Sequence, residues 1–149
     1  IRDAILLDYS HPDFTNSVQN LGFTALALLF GGVPYEVMRD FREIDFGAFE
    51  MKSYEMLRDD PAYQAWLSRD PEITPPPGGE SGTEMTKRVL AAYKAVERRG
   101  EDTVIVTHGG VIAAIMASLF PEEGKNRYQW QPKPGEGYAI TGGTYSTIP

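Results

Sequence analysis

The sequence predicts one α/β domain built on a largely parallel sheet. Three observations carry that expectation. Thr103–Val106 is a short, continuous run rich in β-branched residues, the pattern of a strand buried on both faces. It lies between two segments of helical pattern, residues 82–98 and 111–120. No linker, repeat or low-complexity tract divides the 149 residues, a length usual for a single domain.

The elements follow in chain order. Ala4–Leu7 is the first strand candidate, and residues 8–20 are polar. Thr24–Phe30 is dense in Ala and Leu and reads as a helix ended by Gly31-Gly32. Val33–Met38 reads as a short strand. Residues 41–50 alternate apolar and polar, then meet a glycine, which suits an extended loop or an edge strand. Asp60-Pro61 predicts an N-cap followed by proline at the first helical position, with Tyr63, Trp66 and Leu67 on one face. Residues 75–79, three prolines and two glycines, predict a loop. Ser81 and Glu84 form a capping box that opens a helix with Met85, Val89, Tyr93 and Val96 inward. Gly100 stops it, and Arg98 and Arg99 complement its negative end. Val111–Phe120 is a helix stopped by Pro121, and Tyr138–Ile140 and Tyr145–Ile148 are two edge-strand candidates.

Composition removes several function classes. With 42% apolar and 23% charged residues the chain is expected to fold. Fourteen basic against 21 acidic residues leave a net charge of −7, which repels a nucleic-acid backbone while leaving room for a small anion at a local cluster of donors. There is no cysteine, so disulfides, thiolate metal sites and a cysteine nucleophile are excluded. Two histidines, His11 and His108, cannot make a three-histidine metal site, and no cofactor is expected. The apolar stretch Ala25–Phe30 is too short to span a membrane, and no signal-peptide pattern opens the sequence; the expected location is cytoplasmic, with no membrane partner.

The chemistry concentrates in Thr107-His108-Gly109-Gly110, where a strand ends in a histidine and two glycines lead into a helix. Ligands of open α/β sheets bind beyond the carboxyl ends of strands, and a helix N-terminus offers N–H donors to an anion. His108 and Gly109 are therefore candidate phosphate contacts; the alternative is a histidine satisfied within a strand–helix turn. Glu43, flanked by Phe41, Ile44 and Phe46, is either a partly desolvated general acid or a surface glutamate paired with Arg42. Ser81 and Glu84 are accounted for by capping, whereas Glu80 is not. Tyr63 and Trp66 read as core.

Three segments in order, Phe41-Arg42-Glu43-Ile44-Asp45-Phe46-Gly47, then Pro77-Gly78-Gly79-Glu80-Ser81, then Val106-Thr107-His108-Gly109-Gly110, resemble the histidine phosphatase superfamily, which includes the phosphoglycerate mutases. The resemblance runs from about Thr24 to Ile112. It implies a doubly wound, mostly parallel sheet with helices on both faces. It also implies that His108 belongs to a phosphate pocket and that Glu43 is the general acid and base. The short stretch from Phe49 to Gly78 resembles the phosphatase branch, such as the α-ribazole phosphatase-like enzymes, more than the mutases. The implied activity is hydrolysis of a small phosphate monoester through a phosphohistidine. The alternatives are a catalytically degenerate relative binding an anion or a protein partner, and a mutase-type phosphoryl transferase. A second copy of the chain is the other partner considered.

The sequence also departs from the family pattern. That pattern opens with a strand ending in Arg-His-Gly, whose histidine is phosphorylated, and no Arg-His-Gly occurs here. If Thr24-Ala25 is the family's Thr-Ala pair, Asn20 stands where a second phosphate-binding arginine is expected. On that alignment residues 1–149 form a single domain lacking its first βα unit. A rival alignment takes Ala4–His11 as the signature strand and His11 as the nucleophile, with Ser10-His11-Pro12 in place of Arg-His-Gly. Proline there could not donate a backbone N–H to phosphate.

Overall fold

A computed structural model describes the backbone of residues 3–8 and all of residues 30–149. The chain is α/β. Strand β1 (Asp3–Asp8) is followed by helices α1 (Tyr54–Leu57), α2 (Pro61–Leu67) and α3 (Gly82–Glu97). Strand β2 (Thr103–Thr107), helix α4 (Gly109–Leu119) and strands β3 (Gly137–Thr141) and β4 (Thr144–Ile148) complete it. Among the described residues no helix is long and apolar enough to cross a membrane.

The described strands form one sheet in the order β2-β1-β3-β4. β1 and β2 run parallel, with Ala4 opposite Thr103 and Asp8 opposite Thr107, so both end at the same level. β3 is antiparallel to β1 and to β4. The described sheet is thus mixed, whereas a largely parallel one was expected. The reason is the tail: Gly142 and Gly143, at φ +57° and +79°, close a two-residue hairpin that returns β4 along β3. β3, expected at an edge, lies inside the sheet.

The chain divides into two compact units, residues 1–43 with 89–149, and residues 44–88. In the first, α4 is buried almost all round: Val111, Ile112, Ile115 and Met116 are at 0% exposure. Burying each such side chain is worth about 1.5–3 kcal/mol, so this helix is core rather than surface. Phe120, Trp130, Tyr138 and Tyr145 cluster with ring centroids 4.8–6.1 Å apart, and the Tyr138 hydroxyl donates to the Trp130 carbonyl at 3.0 Å. Lys125 Nζ lies 4.2 Å from the Trp130 ring centroid and pairs with Glu123 at 3.0 Å.

The second unit zips residues 45–48 to residues 77–80. The Ala48 N–H donates to the Pro77 carbonyl at 2.8 Å, and the Glu80 N–H donates to the Asp45 carbonyl at 2.9 Å. A Cβ on Gly47 would strike the Pro77 carbonyl, and one on Gly79 the Asp45 carbonyl. Glu80 Oε1 accepts the Asp45 N–H at 3.1 Å and Arg88 Nη2, and Oε2 accepts Arg88 Nε at 3.0 Å. This explains the glutamate that capping left over: it holds a loop to a helix. Phe49, Tyr63 and Trp66 pack ring against ring, but only Phe49 is buried; Tyr63 and Trp66, expected in the core, are half-buried at its margin.

Local signals held best. The Asp60 carboxylate accepts from the Ala62 N–H at 2.8 Å. Both bonds of the Ser81–Glu84 box are made, and Met85, Val89, Tyr93 and Val96 are buried. Others need correction. Residues 33–38 form no strand among the described residues, and Val33, Tyr35 and Val37 are exposed. Residues 41–50 are a loop with short 3-10 turns at Arg39–Phe41 and Gly47–Phe49. Leu67 is exposed, and Val104 of β2 is 40% exposed, so β2 is not buried throughout. Arg99 pairs with Glu36 through two bonds, at 2.7 and 3.2 Å, rather than with the end of α3. Of the helix expected over residues 24–30, only Phe30 is described; it is helical, followed by Gly31 at φ +62°.

Candidate active site

β2 delivers the chain to Thr107, and α4 begins at Gly109. His108 between them is extended (φ −107°, ψ 156°) and occupies the N-cap position, where its side chain makes no capping bond. The first turn of α4 therefore keeps its positive end for other groups. One of its donors is engaged: the Gly110 N–H donates to Glu43 Oε2 at 3.3 Å. Two of the residues singled out from sequence, His108 and Glu43, thus meet at one helix start, with Gly109 between the histidine and the bonded amide.

Glu43 is brought there by the backbone before it. The Thr107 hydroxyl, buried at the end of β2, donates to the Phe41 carbonyl at 2.6 Å. Phe41 is itself buried and anchors the loop two residues ahead of Glu43. Glu43 is half-buried, between the solvated and the core extremes. Thr107 was missed from sequence because a threonine ending a strand looks like strand propensity; only the loop it grips reveals its use.

His108 is half-buried, and its Nδ1 is enclosed without a hydrogen-bond partner among the described residues. A buried polar atom left unpaired costs about 1–3 kcal/mol. A groove of about 1020 Å³ runs beside β2 and is lined by Arg39, Phe41, Arg42, Thr107 and His108 among others. No group of three His, Asp or Glu side chains comes together as a metal site among the described residues. His11, Asn20 and the Thr24-Ala25 pair lie outside the described residues.

The family model of the histidine phosphatase superfamily (branch 1) matches residues 23–141. A phosphoglycerate mutase-like protein 4 of Arabidopsis thaliana is 33% identical over 92 residues, 58% of this chain and 40% of that protein. A metal-independent phosphoserine phosphatase of the same plant is 38% identical over 56 residues, 36% of this chain and 24% of that protein. The α-ribazole phosphatase of Shigella flexneri shares the fold at TM-score 0.66 and 23% identity, covering 85% of this chain and 64% of that one. The chain spans well under two thirds of the length of the curated relatives it matches.

Proposed function

The chain belongs to the histidine phosphatase superfamily, and on that premise we propose that it hydrolyses a small phosphate monoester through a phosphohistidine. The observation that carries the reading is the Glu43 carboxylate hydrogen-bonded on the first turn of α4, next to His108. That turn supplies N–H donors and the positive end of a buried helix, the environment a phosphoryl group needs as its oxygens gather charge. In the proposed route a histidine nitrogen, that of His11 on the rival alignment, attacks phosphorus and the phosphorus–oxygen bond to the leaving group breaks. Glu43 gives its proton to the departing oxygen. It then takes a proton from the water that attacks the phosphohistidine, releasing phosphate and the free histidine. His108 and Gly109 hold the phosphoryl oxygens throughout. The proposal takes residues 1–149 as one doubly wound domain of the phosphatase branch, acting in the cytoplasm.

The metal-independent phosphoserine phosphatase among the relatives supports a hydrolytic reading. The test is Glu43→Gln. Losing an acid–base group costs about 10²–10⁴-fold in rate. Turnover of a generic aryl phosphate is expected to fall by that amount, with phosphate affinity little changed. Undiminished turnover removes Glu43 from the role.

A second reading is a relative that binds an anion without turning it over. It is favoured by Asn20, which stands where the family alignment expects an arginine, because bidentate arginines are the strongest phosphate donors. Phosphate binding with no hydrolysis of any ester would select it.

A further inference from the structure

The glycine after Gly109 has a use of its own. Gly110 is the second residue of α4, a place where alanine would make a better helix. A Cβ built on it would lie 2.5 Å from Glu43 Oε1 and 3.1 Å from the carboxyl carbon. Its N–H is the donor that Glu43 Oε2 accepts, at 3.3 Å. The same residue therefore offers the carboxylate a donor and vacates the space the carboxylate fills. Thr107 fixes the backbone at Phe41, two residues earlier, so the loop is held at one point and the carboxylate at another.

We propose that Gly110 is a positioning residue for Glu43, kept without a side chain so that the carboxylate can seat on the first turn of α4. The inference rests on the reading of Glu43 as the acid and base, and it gives up helix propensity for placement. The atom in the way of a Cβ is the far end of a flexible glutamate rather than backbone. Gly110→Ala should therefore fold, with an equal or higher melting temperature, and push the carboxylate aside. A misplacement of about 1 Å in a catalytic group costs about 10²-fold.

The experiment follows the amide resonance of residue 110 across the carboxylate pH range in the full chain. In the wild type that resonance should depend on pH. The pH response should vanish in Glu43→Gln, which leaves the helix start untouched, and in Gly110→Ala. Turnover of an aryl phosphate should fall about 10–100-fold in Gly110→Ala, mostly in kcat. The same change in the Glu43→Gln background should add no further loss. An amide response that survives Glu43→Gln, or a Gly110→Ala variant with wild-type turnover and an unchanged amide response, overturns the proposal. A wild type without turnover contradicts the phosphatase reading instead, and the amide titration still decides whether the seat exists.

Discussion

At the start of α3, Ser81 Oγ accepts the Glu84 N–H at 3.2 Å and the Glu84 carboxylate accepts the Ser81 N–H at 2.7 Å. The Gly82 and Thr83 N–H groups donate to the Pro71 and Glu72 carbonyls, at 3.1 and 2.9 Å. At the start of α4 the cap position holds His108, which caps nothing, and the carboxylate that arrives comes from Glu43, 67 residues away in sequence. In both places a glutamate oxygen fills the space a glycine Cβ would occupy, Glu72 at Gly82 and Glu43 at Gly110. The difference lies in what remains. The first helix start is closed by its own neighbours and serves as a joint. The second leaves its positive end uncapped by its own cap residue, beside an enclosed imidazole nitrogen that has no partner among the described residues.

If the comparison is right, damage to the two regions should read out differently. The largest stability effect is expected beside the closed start. Arg88 and Glu80 have side chains only 13% and 14% exposed, and removing one partner of a buried pair costs about 3–5 kcal/mol. Arg88→Met should lower the denaturation midpoint accordingly. At the open start the effect should fall on function. His108→Ala should cut turnover about 10²–10³-fold, as loss of a group that stabilises transition-state charge does, with a small change in stability by the same denaturation assay. Ser81→Ala should cost about 1 kcal/mol and leave turnover alone; a large loss of turnover would erase the distinction.

The smallest effect concerns pH. Burial pushes the Tyr93 hydroxyl above its ordinary value of 10.0, with the nearby Glu97 charge adding to it. Burial raises Tyr138 as well. A group whose pKa is raised on folding gives stability that is complete below the unfolded value and is lost as pH climbs through the folded one. Stability should therefore hold to about pH 10 and decline above it. Tyr93→Phe and Tyr138→Phe should each flatten that decline in denaturation curves taken from pH 9 upward.

The joint was easier to read from sequence than the site. Ser81, Glu84, Asp60 and Pro61 act within four residues of themselves, so their pattern carries their role. His108 was legible because a β-branched run, a histidine and two glycines mark a strand passing into a helix. Glu80 was not, because its partners are eight residues later and 35 residues earlier. Val33–Met38 has the composition of a strand, but strand pairing depends on distant segments that local composition does not reveal. The interior place of β3 was missed for the same reason: pairing with β1 spans more than a hundred residues. The Gly142-Gly143 hairpin did carry a short-range signal, two glycines between alternating segments, and it would have indicated antiparallel strands.

On the proposed mechanism the first turn of α4, with His108 and Glu43, receives a phosphoryl group. This is tested most directly by the imidazole nitrogen resonances of His108 during titration with inorganic phosphate, in the wild type and in Glu43→Gln. Those resonances should show a saturable shift, retained with similar midpoint in Glu43→Gln. Resonances that stay in place at saturating phosphate would contradict it.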